Sequence, residues 1–220
     1  MKALVKNNKL FYLLVLAFCM VLLLLIVTLP KGVDLLFINH YHTIVFDTLF
    51  YVITFLGDGL FATLFLLAVM FFVSIRKALV TTFTFLSVVL VIQVLKNFFF
   101  SATPRPLTFF QNLTTIHYIP WIEIHDNNSF PSGHTAQAFC LALCILFYVQ
   151  RKSLILPLFT LATLTGFSRL YLMQHFPADV LGGTIISVVI TTVMFYYFEF
   201  NALFLNYPAV VDAPLFRIKK

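Results

Sequence analysis

Charge is what this sequence has least of. Only 10% of its 220 residues are Asp, Glu, Lys or Arg, against 61% hydrophobic, and the mean hydropathy is +1.01. A soluble domain carries about 25% charged residues. This chain therefore has too little polar surface to cover a water-soluble globule, and its natural solvent is a bilayer. Acidic side chains are the scarcest, eight against fourteen basic ones, and no carboxylate cluster suited to magnesium stands out. Cysteine is rare as well. Cys19, Cys140 and Cys144 all lie in apolar runs. A structural zinc site needs about four ligands and no matching set stands nearby, so these are packing thiols. Internal repeats, low-complexity segments and interdomain linkers are absent. That leaves one domain over residues 1–220.

The long apolar runs lack the strict alternation of barrel strands, and only helices or closed barrels satisfy the backbone in lipid. The chain is therefore all-α. Runs near Leu10–Leu29, Gly59–Ser74, Leu79–Phe99, His134–Gln150, Leu154–Leu170 and Ala178–Phe198 predict six transmembrane helices. A polar-flanked stretch, His42 to Leu56, either lies along the interface or extends the second helix. The first run follows Lys2, Lys6 and Lys9 as a signal sequence would, but no small-residue cleavage site follows, so it reads as a retained helix. Basic residues then fix the orientation. Lys2, Lys6 and Lys9, Arg76 and Lys77, Arg151 and Lys152, and Arg217, Lys219 and Lys220 fall on one side of a six-span chain. By the positive-inside rule that side is cytoplasmic, with both termini. Topology accounts for the excess of positive charge, and no nucleic-acid partner is needed.

Four polar clusters are left over: Lys96, Arg105-Pro106, Pro131-Ser132-Gly133-His134, and Ser168-Arg169 with His175 and Asp179. All fall at the outer ends of helices three to six or in the loops between them. Ionisable groups at membrane depth are costly and mark function by default. Lys96, Arg105 and Arg169 bring permanent cations, with guanidinium forks that match phosphate oxygens. Ser132 is a natural N-cap, Gly133 lets an anion approach, and the helix that follows aims its first N–H groups outward. His175 and Asp179 lie one helical turn apart. The carboxylate can hold one imidazole nitrogen and leave the other as a lone pair for attack on phosphorus. His134 is placed to protonate the leaving oxygen. Taken singly, each residue also has a bland reading as an anchor, a cap or a structural pair. Their conjunction on one face points to phosphoryl chemistry. His40, His42, His117 and His125 have no such company and read as interface or loop residues.

These motifs resemble the type 2 phosphatidic acid phosphatases. Pro131 to His134 match the family's second motif fully, and Ser168-Arg169, His175 and Asp179 match the third without a gap. Lys96 and Arg105-Pro106 resemble the first, at a spacing two residues longer than the family's usual one. The resemblance covers about the second half of the chain, residues 96–179. It implies a lipid phosphatase with a phosphohistidine on His175, oriented by Asp179. His134 is then the acid, and Lys96, Arg105, Ser132, Gly133 and Arg169 hold the phosphate. It implies neither metal nor other cofactor. The expected substrate is a lipid phosphate or diphosphate: undecaprenyl diphosphate, phosphatidylglycerol phosphate, phosphatidic acid or a lipid A phosphate. The expected setting is a bacterial inner (plasma) membrane with a periplasmic or extracellular site. A phosphotransferase to another lipid stays open beside hydrolysis, and a transporter or scaffold is disfavoured by the absence of repeats. The loop from Ser101 to Phe130, with Phe109, Phe110, Tyr118 and Trp121, is expected to cover the site. Oligomeric state is not legible.

Overall fold

In the computed structural model, residues 2–113, 115–123 and 125–200 are described. The basic tail with Arg217, Lys219 and Lys220 lies outside them. The described residues form helices without a strand. A short α1 (Lys2–Asn7) leads into α2 (Lys9–Thr28) and α3 (Val33–His40). Next come α4 (Ile44–Thr54) with a 3-10 turn at Phe55–Gly57, α5 (Gly59–Phe72) and α6 (Ile75–Val94) with a π turn at Leu95–Phe99. The one-turn α7 (Pro106–Phe109) precedes α8 (Gly133–Val149), α9 (Ile155–Tyr171) and α10 (Pro177–Phe200).

Helix α8 is the central post. It packs against α6, α9 and α10, while α2 leans on α9 and α10, α4 on α9, and α5 on α6. Its residues Ala136, Phe139, Leu143 and Leu146 are fully buried. By contrast, α2 turns Leu13, Leu16, Leu24 and Val27 outward, each at least half exposed. In water such a surface would be an aggregation hazard; in lipid it is the contact surface. The chain is an integral membrane protein.

Of the six predicted spans, four stand as helices long and apolar enough to cross a bilayer: Lys9–Thr28, Ile75–Phe99, Lys152–Tyr171 and Pro177–Phe198. The second predicted span departs from a straight rod. Ile44–Gly57 and Gly59–Phe72 are long and apolar enough only as a pair, bent by 52°, which makes them a broken span or a re-entrant loop. The stretch before Gly59 is thus helical and joins α5 through a bend. Asp58 causes the break: its backbone is extended and its side chain caps α5 by accepting from Leu60 N at 2.7 Å. Apolar α8, at 17 residues, falls short of these four. A 17-residue helix is about 25 Å long.

Contacts between helix ends fix the direction of each helix. Tyr148, near the end of α8, donates to the Lys77 carbonyl at the start of α6 (3.0 Å). Tyr12 near the start of α2 pairs with Thr192 near the end of α10 (2.7 Å). Lys9, Arg76, Lys77, Arg151 and Lys152 therefore gather at one end of the bundle. The start of α8, the end of α9 and the start of α10 lie at the other.

Candidate active site

A cavity of about 460 Å³ opens at the end of the bundle remote from those basic residues. Lys96, Arg105, Gly133, His134, Arg169 and His175 all line it. Residues from three separate stretches of sequence thus meet around one space. The two remaining candidates stand just behind the wall. Ser132 is fully buried, and its hydroxyl caps α8, accepting from Thr135 N at 3.4 Å and pairing with the Thr135 hydroxyl at 2.8 Å. Asp179 backs His175.

The π turn explains the long spacing between Lys96 and Arg105. Phe100 N bonds the Leu95 carbonyl, five residues back, at 2.9 Å, and Thr103 N then turns onto the Phe100 carbonyl at 3.1 Å. A π turn widens the helix by about one residue. This turn and the one that follows take up the longer spacing, and Lys96 stays on the cavity wall.

The histidine is held firmly. His175 is 1% exposed, and its Nδ1 lies 3.4 Å from Asp179 Oδ2. The same carboxylate oxygen accepts from Phe176 N at 2.8 Å and from the Ser129 hydroxyl at 2.5 Å. Burial pushes His175 down to about 3, and Arg169 and Arg105 add to that, while Asp179 opposes it. The imidazole is therefore neutral across the physiological range. The pairing of Nδ1 with Asp179 leaves Nε2 as the lone-pair nitrogen.

The arginines are bound from several sides. Arg105 donates from Nε to the Asn127 carbonyl (3.1 Å) and from Nη1 to Gln174 Oε1 (2.9 Å). Arg169 donates from Nη1 to the Thr54 hydroxyl (2.7 Å) and from Nη2 to the same Gln174 oxygen (3.5 Å), while its Nε has no partner. One amide oxygen thus bridges two guanidinium groups, which share a direction and keep donors spare for an anion.

Gln174, Thr54, Asp58 and Ser129 belong to this site and escape sequence reasoning. Each is an ordinary polar residue whose partner lies far away in sequence or, for Gln174, across the site. Within the sequence, Gly57-Asp58-Gly59 reads locally as no more than a helix start. Gly57 has a steric purpose. A Cβ there would collide with the His134 carbonyl and come within 2.8 Å of Thr165 Cγ2. Gly57→Ala is expected to cost about 1–3 kcal/mol by overpacking and to lower both thermal stability in detergent and turnover. Unchanged stability and turnover would mean that the close approach is unimportant.

The loop above the site is anchored outside the cavity. His117 Nε2 lies 2.9 Å from Asp47 Oδ2, Tyr171 donates to Asp47 Oδ1 at 2.7 Å, and the His42 and His117 rings stack at 3.9 Å. Asn39 completes the anchor with two bonds to the His117 backbone. His42 and His117 are thus structural clasps rather than isolated loop residues. Of the four loop aromatics, only Trp121 lines the cavity. Phe109 packs on Phe176, whose ring carries Lys31 Nζ at 4.4 Å.

The sequence profile of the PAP2 superfamily matches residues 77–202, more than half of the chain. The chain belongs to the PAP2 superfamily. Among curated proteins, this PAP2 chain is 34% identical over 100 residues to undecaprenyl-diphosphatase BcrC of Bacillus subtilis (strain 168), covering 46% of each chain. It is 36% identical over 70 residues to phosphatidylglycerophosphatase B of the same organism, covering 27% of this chain and 34% of that one. The chain thus spans less than half the length of these curated relatives. Among solved structures, LpxE from Aquifex aeolicus superposes with a TM-score of 0.65 at 26% identity, over 76% of this chain and 95% of that one. A transmembrane PAP2-type phosphatidylglycerolphosphate phosphatase from Bacillus subtilis superposes with a TM-score of 0.60 at 23% identity, over 90% and 97%. That likeness shows the shared fold.

Proposed function

We propose that this PAP2 protein hydrolyses the phosphomonoester or diphosphate of a membrane lipid through a phosphohistidine on His175. The observation that carries this reading is the convergence on one cavity of three cations and two histidines, one of them backed by a carboxylate. Lys96, Arg105 and Arg169 would hold the phosphate oxygens, with the N-terminus of α8 at Gly133 and its cap Ser132 adding positive potential. His175 Nε2 attacks phosphorus as the bond to the lipid oxygen breaks, and His134 gives that oxygen its proton. In the second step water attacks the phosphohistidine, His134 takes the water proton, and phosphate leaves with His175 restored. Phosphoryl transfer asks mainly for positioning and charge stabilisation, which these groups offer from fixed helix ends.

In this reading the bent pair and the short α8 both cross the bilayer, giving six spans. The basic end faces the cytoplasm and the cavity faces outward. The convergence of the motif residues on one cavity and the central α8 support treating the whole chain as one domain. The proposed substrates are undecaprenyl diphosphate, phosphatidylglycerol phosphate, phosphatidic acid and lipid A phosphates. The first two are what the names of the curated relatives specify for those proteins.

The test is phosphate release by the purified chain in detergent across these four lipids, with excess chelator. An acceptor lipid is added in a parallel arm. Release that survives the chelator, and free phosphate as the product, would support a metal-independent hydrolase. Loss of release with chelator would overturn metal independence, and phosphate recovered on the acceptor lipid would make the enzyme a phosphotransferase.

A further inference from the structure

The leaving-group acid faces an electrostatic problem. His134 must carry a proton in a cavity whose wall also presents Lys96, Arg105 and Arg169, with His175 beside them. Like charges at close range oppose that proton. Something must offset them.

Two carboxylates line the cavity, Asp58 and Glu123. Glu123 is largely solvent-exposed and is directed at His125, 3.9 Å away. Asp58 is directed at the site: its Oδ2 lies 3.9 Å from His134 Nε2. Its other oxygen accepts from Leu60 N at 2.7 Å, which fixes the carboxylate at the head of α5. Gly57, the preceding residue, packs on the His134 backbone so closely that no side chain would fit. The bend between α4 and α5 thus sets the carboxylate against the imidazole through two independent contacts. An oxygen about 2.8 Å from both groups would sit within hydrogen-bond range of each. That is the place of the attacking water, which can donate to both groups. Such bonds are often long in an empty site and tighten on the reacting complex.

We infer that Asp58 is a positioning residue for the reaction, its carboxylate facing the His134 ring and favouring transfer of a proton to it, so that His134 acts as acid in the first step and recovers its proton in the second. Asp58 lies outside both the family motifs and the matched stretch 77–202. The first-half helices therefore belong to the chemistry as well as to the scaffold. Proton balance is kept. His134 loses one proton to the lipid oxygen as the P–O bond breaks, and regains one from water as the N–P bond is cleaved. Asp58 neither gives nor takes a proton in either step.

This inference rests on the proposed role of His134, and its test separates the two. Asp58→Asn keeps the cap, because asparagine caps helices as well as aspartate, but removes the charge. kcat/KM of the purified full chain, which reports the steps up to leaving-group departure and so leaves out the shared hydrolysis of the phosphohistidine, is measured on dioctanoyl phosphatidic acid, whose alkoxide must be protonated, and on p-nitrophenyl phosphate, whose phenolate leaves unaided. His134→Ala is run in parallel. General acid catalysis is worth about 10²–10⁴-fold. Asp58→Asn is expected to slow the lipid about 100-fold and the aryl phosphate less than about threefold, in the same sense as His134→Ala. A loss equal on both substrates, or absent on both, beside a selective His134→Ala would reduce Asp58 to a helix cap and overturn the inference. A non-selective His134→Ala would remove the acid role itself, and Asp58 with it.

Discussion

Replacing His175 by alanine is expected to abolish phosphate release, by at least about 10⁴-fold, while the protein still folds. Removing a nucleophile that works as one unit with its partners costs about as much as removing them all, on the order of 10⁶ in the best-studied triad. Here the unit is tight. Asp179 Oδ2 holds the His175 ring, the Phe176 N–H and the Ser129 hydroxyl together. Monodisperse elution and an unchanged melting temperature would show that the fold survives, and substantial turnover by such a sample would refute the phosphohistidine. A pH consequence follows from the same burial. The neutral imidazole is the reactive form, and its titration lies at about 3, well below the usual histidine value. Protonation removes it only as the pH falls toward 3, so wild-type single-turnover rates should not decline between pH 7 and 5 on account of His175. An acid limb near the ordinary histidine value of about 6.5 would have to arise from another group.

Arg169→Lys should be nearly as damaging. The guanidinium is 6% exposed and spans from Thr54 on α4 to Gln174 beside the histidine, with Nε still unpaired. Lysine keeps one charge but can neither reach both partners nor present a planar fork to phosphate. Losing a preorganised donor to developing charge costs about 10²–10³-fold, roughly 2.7–4 kcal/mol. The loss should appear in kcat/KM for every lipid accepted, because the group reads the phosphate and ignores the chain attached to it. A loss below tenfold in a folded variant would make Arg169 a structural tie between α4 and α9.

Much of this site is legible without coordinates. Pro131 to His134 and Ser168 to Asp179 are each contiguous in sequence, although the second stretch crosses the break between α9 and α10. His175 and Asp179 need only one turn between them to meet. Lys96 is less legible, since its spacing to Arg105 departs from the pattern; the π turn at Leu95–Phe99 accounts for it. The clasp of His117 on Asp47 joins residues 70 positions apart, and the contact of Arg169 with Thr54 joins residues 115 apart. Nothing in the neighbourhood of either residue announces its partner. Glycine 57 shows the same limit. Its lack of a side chain matters only because α8 passes against it.

The sequence by itself determined the solvent, the secondary structure and the chemistry of the motif residues. Hydropathy, helical period and the types of neighbouring side chains are local properties. The tertiary structure alone decided that Ile44–Gly57 and Gly59–Phe72 meet at a bend of 52°, that Gln174 couples two arginines and that Asp58 faces His134. These are juxtapositions between distant segments, set by how closely helix backbones can pack, and no stretch of sequence encodes its neighbour across the bundle.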